Sequence, residues 1–341
     1  MLTSTAPGRT PDATVNGPRL SIVVVNWNTR DLLLALLERL LAAGGAPADA
    51  EVVVVDNDSA DGSADAASAA FPRAVVVRSG RNGGFAFGVN RGIAVARGDW
   101  ILLLNTDTEV AKGAIARFVD DAAAHRDGGV FGPGITDERG TPQRSAWPDH
   151  GVLRPLLDAF GFARWLDRAR WLDRRTAPAA AGPVDCVSGC VFLIRRQALA
   201  AAGAMDERFF MYFEEADLCR RVRRAGYAVR YLPATAFVHH GGLSAGQAAQ
   251  RTFLAFRESC LLYHAAWHGR LLTEWVRGCL LLGAVLRCAA LALLFPLDRA
   301  GRRRLHGAAV RLLLRPALVG ELCRRGRIVP TVAAPTELQR S

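Results

Sequence analysis

Lysine is almost missing from this chain: Lys112 stands alone among 43 basic residues, the rest being arginine. No G-x-x-x-x-G-K-[ST] string exists to make a phosphate loop, and no G-x-G-x-x-G follows the first apolar run, so the two commonest nucleotide fingerprints are missing. Cysteine is present but not organised. Seven residues, an odd number with no C-x-x-C pair and several inside apolar stretches, argue against a disulfide framework or a zinc knot and for buried thiols in a reducing compartment. The first nineteen residues lack an apolar core segment, which reads as a loose tail with no secretory signal. No internal repeat, nucleic-acid motif or Ser-His-Asp arrangement is evident.

Half of the 341 residues are hydrophobic and 22% are charged, which excludes a disordered chain and allows one large core with an appendage. The net charge of +11 calls for an anionic partner (nucleic acid, phosphorylated small molecules or an anionic membrane) or else marks an ordinary solvated arginine surface.

What is present is a series of buried strands. LSIVVVNWN (20–28) and EVVVVDNDS (51–59) are continuous β-branched runs, as expected of strands covered on both faces, and AVVVRS (74–79) and WILLLN (100–105) read as a third and a fourth strand. Between them, TRDLLLALLERLLAAGG has helical spacing and stops at Gly44 and Gly45, Asp61 can cap a helix from about Gly62, and NRGIAVARG (90–98) reads as a short helix. The alternation predicts an α/β fold with a mainly parallel sheet flanked by helices, whose ligands bind at the carboxyl ends of the strands. Asp56 and Asp107 both fall at such ends and should share one crevice. From 137 to 182 the pattern dissolves into Pro, Gly, Arg and Trp, as functional loops do. VDCVSGCVFLIRR (184–196) resumes as a strand, a helix opens near Glu214, and YLPATAFVHHGGLS (231–244) is again extended.

Several clusters carry chemistry. DND at 56–58 and NTDTE at 105–109 offer hard oxygen ligands, although Asp and Asn also build turns for local reasons; their joint placement on one sheet edge favours a site. RNGGFAFGVNRG (81–92) can bring backbone close to a ligand, with Arg91 within reach of a pyrophosphate, or can simply turn. Glu214, Glu215 and Asp217 suit a helix start, Asp217 can pair with Arg221, and a general base also belongs at such a place. His239 and His240 suit either hydrogen bonding or a phosphate–metal site.

In order, SIVVVNWN, VVVVDNDSADGS, RNGGFAFGVNRGI, ILLLNTDTEV, SGCVFLIRR, FFMYFEEADLCRRVRRAGY and HHGGLS resemble an inverting family 2 glycosyltransferase with a GT-A (Rossmann-like) fold, nearest the rhamnosyltransferase-like branch of bacterial cell-surface polysaccharide synthesis. The likeness spans roughly residues 20–244. It implies that Asp56 contacts the nucleotide base with Asn28 and the backbone near Val25, and that Asp107, in an Asn-x-Asp version of the D-x-D motif, holds Mg²⁺ or Mn²⁺ with His239. It makes Glu215 the base in place of the family's Asp, one methylene longer, and puts Asn82, Arg91, Asn105, Gly189 and Glu214 among the substrate-binding positions. The implied partners are a dTDP- or UDP-sugar and a glycan or lipid-linked acceptor, with no nucleic acid.

These readings divide the chain into a tail (1–18), a GT-A catalytic domain (19–245, with 137–182 as an acceptor loop region), a helical segment (246–325) and a second tail (326–341). Within the helical segment, 278–297 nearly qualifies as a membrane span but carries Arg287 and ends at Pro296. Arg270, Arg277 and Arg287 share one side and Arg304, Arg311 and Arg315 form a stripe, which favours helices lying on an anionic membrane over a subdomain packed on the core. The expected location is cytoplasmic, peripheral on the inner face of the membrane. A catalytically weak membrane scaffold and a nucleotide-dependent oxidoreductase are the rival functions.

Overall fold

The computed structural model describes residues 19–160, 180–241, 249–294, 302–325 and 329–330. The string FARWLDRARWLDRRT, the first tail and most of the second lie outside these residues. Strands β1 (Leu20–Asn26), β2 (Glu51–Asp56), β3 (Val75–Arg78) and β4 (Trp100–Leu104) form where the apolar runs predicted them. They are joined by α1 (Arg30–Leu37, continued by a π-turn to Ala42), α2 (Ser63–Ala70) and α3 (Phe85–Val95). Then come β5 (Thr108–Glu109), α4 (Ala114–Ala124), β6 (Gly128–Thr136), β7 (Pro142–Gln143), β8 (Ala146–Trp147) and α5 (Arg154–Ala159). The chain continues through β9 (Gly182–Val184), β10 (Cys186–Val187), β11 (Val191–Arg195), α6 (Arg196–Ala202), α7 (Glu214–Arg224) and β12 (Ala228–His239). Helices α8 (Ala249–Trp267), α9 (Gly269–Leu294), α10 (Arg302–Leu313) and α11 (Leu318–Arg324) follow.

The main sheet runs β3-β2-β1-β4-β11-β6-β12-β5. Its first four strands are parallel, as expected, whereas β11 enters antiparallel between β4 and β6, so the whole sheet is mixed. Alternate residues of each central strand feed opposite cores. Val23, Val53, Val55 and Leu103 pack under α3 and α7, while Ile22, Val24, Val54 and Leu104 pack under α1 and α4. Asp61 does more than cap α2: one carboxylate oxygen accepts from the Ser63 amide at 3.0 Å and the other from the Arg30 amide at 2.9 Å.

Two expectations change here. The helix expected over 90–98 begins at Phe85, so half of the glycine-rich string is helical. Its Gly88 and Gly92 lie one turn apart against the sheet, where an added Cβ would come within 2.7 Å of Val25 and 2.3 Å of Val23. Those two glycines serve helix–sheet packing, and Gly83 is packed against Phe87, where an added Cβ would lie 2.4 Å from the ring. The string VDCVSGCVFLIRR makes two strands, β10 and β11, separated by Ser188, Gly189 and Cys190.

The carboxyl-terminal helices are continuous with the body. Tyr263, Val276, Leu313 and Leu322 belong to the same buried cluster as α3 and α7. Among the described residues, no helix is long and apolar enough to cross a membrane. Three of the six arginines expected to face lipid have partners within the protein, while Arg270, Arg304 and Arg311 are exposed. Arg277 donates to Glu274 at 2.6 Å and to the Leu313 carbonyl at 2.9 Å, Arg287 donates to the Asp158 carbonyl, and Arg315 pairs with Glu321 at 3.1 Å. Five cysteines are buried, Cys288 is half-buried and Cys323 is exposed.

Close packing of α3 on β1 makes a simple prediction. Gly92→Ala should cost about 1–3 kcal/mol and lower the melting temperature by several degrees. Gly278→Ala, on an exposed helical face with nothing within 4 Å of the new Cβ, should hold or raise it. Equal melting temperatures for both variants would refute the packing role.

Candidate active site

One cavity of roughly 340 Å³ opens at the carboxyl ends of β1 and β4. Its walls bring together Asn82, Asn105, Asp107, Gly189, Glu214, Glu215 and His239 from five separate stretches of sequence. Asn28, Asp56 and Arg91 do not line it.

Asp107 is fixed by the turn that ends β4. The Asn105 amide donates to the Cys190 carbonyl at 3.0 Å, and the Thr108 amide returns to the Asn105 carbonyl at 3.2 Å. The short β5 then pairs with the end of β12, His239 opposite Thr108, and the His240 amide donates to the Asp107 carbonyl at 3.0 Å. This stitching places Nε2 of His239 3.2 Å from Oδ1 of Asp107. The two are poorly aligned for a hydrogen bond, and Nε2 is buried with no partner of that kind. His240 faces the other way, bridging Glu109 at 3.0 Å and Glu138 at 2.5 Å. Those contacts, Glu138 first, raise its pKa.

An imidazole nitrogen and a carboxylate oxygen converging in a buried cleft suit a divalent cation. No group of three or more His, Cys, Asp or Glu able to hold a metal occurs among the described residues. Two protein donors fit a cation that completes its shell with substrate phosphate oxygens and water, as Mg²⁺ usually does.

Glu214 and Glu215 arrive by a strained route. Tyr212 and Phe213 both have left-handed backbones, φ 71° and 67°, which bulky residues rarely adopt. Three anchors hold that corner. The Phe85 amide donates to the Phe210 carbonyl at 2.7 Å, Ser259 Oγ donates to the Met211 carbonyl at 2.8 Å, and the His150 ring stacks on Phe213 with centroids 4.5 Å apart. Gly84, at φ 93°, is required for the first, since a Cβ there would lie 2.2 Å from the Phe210 oxygen. The corner directs both carboxyl groups into the cavity, each with Oε2 buried and without a hydrogen-bond partner. Burial pushes the Glu215 carboxyl up to about 7. Glu214 is raised as well, first by burial and then by the charge of Glu215. Asp217, one turn on, is a structural residue: it pairs with Arg221 at 2.8 Å, as its spacing predicted, and accepts from Trp267 Nε1 at 2.8 Å.

The three predicted residues outside the cavity have other surroundings. Asp56 accepts from Asn26 Nδ2 and the Ser59 amide, both at 3.1 Å, at the join of β1 and β2. Asn28, at φ 52°, accepts from the Ala60 amide at 2.7 Å. Arg91 is exposed, its guanidinium 4.6 Å from the Phe87 ring centroid. Sequence reasoning missed Trp27, Asn57, Tyr212, Arg251 and Thr252, which do line the cavity. Asn57 was within reach, because a parallel strand ending in Asp-Asn-Asp presents consecutive side chains at the crevice. Its Nδ2 donates to Asn82 at 3.3 Å and to the Gly84 carbonyl at 3.0 Å, which ties the glycine loop to the strand end.

A family model, that of glycosyl transferase family 2, matches residues 21–202. The chain is 30% identical over 282 residues to the N-acetylglucosaminyl-diphospho-decaprenol L-rhamnosyltransferase of Mycobacterium tuberculosis, covering 77% of this chain and 91% of that one. Among solved structures it is similar to a mannosyltransferase from Pyrobaculum calidifontis in complex with GDP-Man and Mn²⁺, with a TM-score of 0.51, 16% identity, 90% of this chain covered and 83% of the other. It is also similar to GalNAc-T7 with UDP, GalNAc and Mn²⁺, with a TM-score of 0.52, 15% identity, and coverage of 88% and 56%.

The buried glutamates give a pH prediction. Their folded pKa values lie above the ordinary 4.5, so the folded protein keeps protons that the unfolded chain releases. This contribution is full below about 4.5 and is lost as the pH rises through 7. The melting temperature should therefore fall between pH 5 and pH 8, and fall less in a Glu214→Gln/Glu215→Gln double variant. An identical decline in both proteins would rule out the assigned protonation.

Proposed function

The chain belongs to glycosyl transferase family 2 and is a glycosyltransferase of the GT-A fold, and from that premise we propose that it moves a sugar, rhamnose first among candidates, from a nucleoside-diphosphate sugar to a lipid-linked acceptor in cell-surface polysaccharide synthesis. The observation that carries this reading is the convergence of Asp107, His239 and Glu215 on one cavity.

In this proposal the donor lies along the carboxyl ends of β1, β2 and β4. Asn57 and Asn82 face it from the cavity wall, while Asp56 and Asn28 hold the nucleotide end of the strand tips. Asp107 and His239 hold Mg²⁺ or Mn²⁺, which when bound offsets charge on the departing diphosphate. Asn105 and Gly189 frame the sugar. Glu215, its carboxyl held near neutral pH by burial, accepts the proton of the acceptor hydroxyl as that oxygen attacks the anomeric carbon. The bond to the diphosphate breaks on the opposite side, so the anomeric configuration inverts and no covalent enzyme intermediate forms. Burial and the charge of Glu215 raise the Glu214 carboxyl too, so the two side chains titrate as a pair. Arg251 lines the cavity where Arg91 does not, and is the cation better placed to meet substrate charge.

Support for the donor and acceptor classes comes from the activity of the mycobacterial relative and the nucleotide–Mn²⁺ complexes of structures sharing the fold. The enzyme is proposed to be peripheral at the inner face of the cell membrane. The oxidoreductase alternative falls with the family assignment. A non-catalytic scaffold would bind donor without transferring it.

The test is a panel of dTDP-, UDP- and GDP-sugars scored for nucleoside diphosphate release with membrane extract as acceptor. Release should disappear in EDTA and fall about a hundredfold or more in Asp107→Ala and in Glu215→Gln, with kcat/KM in the native enzyme rising through a pKa near 7. Undiminished metal-dependent turnover in Asp107→Ala would sink the mechanism. Donor binding without transfer to any acceptor would favour the scaffold.

A further inference from the structure

A second cavity, of roughly 580 Å³, lies between α5, α8 and α9. It meets the first at Tyr212 and Thr252, which line both. Phe253, Phe256 and Leu280 give it an apolar wall, into which two guanidiniums project, Arg257 and Arg287. We propose that this cavity is the acceptor subsite for a phosphate-bearing lipid: the two arginines hold the phosphate that joins sugar to lipid, and the sugar reaches through the junction at Tyr212 and Thr252 towards Glu215. The inference rests on the glycosyltransferase reading of the first cavity and specifies the chemistry of its acceptor.

Like charges do not gather in a half-buried cleft without cause. Burial, and then the neighbouring Arg287, hold the Arg257 guanidinium down to about 10. His306, stacked 5.2 Å from Phe253, is pushed down by burial and then by the same two arginines. Arg257 Nη1 donates to the Phe253 carbonyl at 2.8 Å, but its Nε is buried with no hydrogen-bond partner. Arg287 spends one nitrogen on the Asp158 carbonyl. The lining carboxylate, that of Asp158, lies 3.6 Å from Arg154, and among the described residues neither Arg257 nor Arg287 forms an ion pair. An anion with several acceptor oxygens would satisfy the unused donors and relieve the mutual repulsion. No acidic residue pairs with an imidazole here as Asp107 does with His239, so this is a site for a phosphate recognised by arginine alone.

The surroundings point to a lipid as the source of that phosphate. The same helices expose Leu153 (66%) and Phe160 (54%) on α5. On α9, Leu271, Trp275, Leu282, Val285 and Leu286 are exposed at helical spacing and form one apolar stripe. Gly283 allows α5 to approach, since a Cβ there would lie 2.9 Å from Ala159 Cα. An apolar chain leaving the cavity therefore has an apolar surface on the helices that bound it.

Two measurements test the inference separately from the reaction. Farnesyl diphosphate, inorganic pyrophosphate and farnesol are titrated into the metal-free full-length protein by calorimetry. Farnesyl diphosphate should bind most tightly, and Arg257→Gln/Arg287→Gln should weaken it about tenfold or more, with partial recovery in the Arg→Lys pair and unchanged melting temperatures. Pyrophosphate binding as tightly as the farnesyl compound, or binding indifferent to the arginines, overturns the proposal. Steady-state transfer is then measured with the panel's donor. The Gln pair should raise KM for a diphosphate-lipid-linked sugar about tenfold, leaving KM for donor and for the same sugar as an octyl glycoside unchanged. An equal rise for both acceptors overturns the subsite. Arginine-dependent binding with no transfer at all would uphold the subsite and count against the proposed reaction.

Discussion

Glu214 and Glu215 each carry a buried carboxyl oxygen with no hydrogen-bond partner, and among the described residues no counter-ion pairs with either. What holds them there is the backbone ahead of them. Left-handed φ values at Tyr212 and Phe213 cost on the order of 1–3 kcal/mol each, and such a corner survives only where its surroundings over-determine it. The surroundings here come from all over the chain. Gly84 makes room for the Phe210 carbonyl, Ser259 holds the Met211 carbonyl, and His150, Phe256 and Tyr263 pack on Phe213. Burial then raises the pKa of both carboxyl groups, which gives an ordinary acidic helix start the titration near neutral pH that the proposed base requires.

Much of this was legible. The apolar runs located all four leading strands; β1, β2 and β4 are covered on both faces, which leaves little room for other residue types, while β3 stands at the sheet edge and is partly exposed. The placement of Asp107 followed from the same logic, since a buried strand must surface somewhere and carboxylates cluster there. His239 could be placed only with the help of the family resemblance, because its position depends on β12 pairing with a two-residue strand about 130 positions away. Arg91 looked free to meet phosphate, but helix α3 begins five residues earlier than its sequence suggested, and the side chain rotates onto Phe87. Gly88 and Gly92 illustrate the same difficulty: a glycine that admits a ligand and one that admits a sheet are spelled alike. The left-handed corner at Tyr212 and Phe213 left no trace at all, since neither residue type announces such a conformation.

The carboxyl-terminal helices carry a related lesson about charge. Arginines spaced along a helix suggest a membrane face, yet Arg277 and Arg287 are directed at backbone carbonyls of neighbouring segments. The exposed stripe of α9 is apolar instead. Helix α8 also reaches the core of the catalytic body. The Tyr263 hydroxyl donates to Asp149, which in turn lies 3.2 Å from Arg223 of α7, while Trp267 holds Asp217 on that same helix. Helix, loop and catalytic helix are thus braced as one unit.

That bracing has a consequence for anyone cutting or recombining such chains. The family match ends at residue 202, before both glutamates, the imidazole of His239 and every cavity-facing residue of α8. A fragment trimmed there would retain the strand tips while losing the groups that close over them. A chimera intended to exchange the proposed acceptor subsite would need its crossover ahead of α5, carrying α5 to α9 as a single cassette, because α5, α8 and α9 bound that cavity and the corner at 212 that aims the proposed base lies between them in sequence.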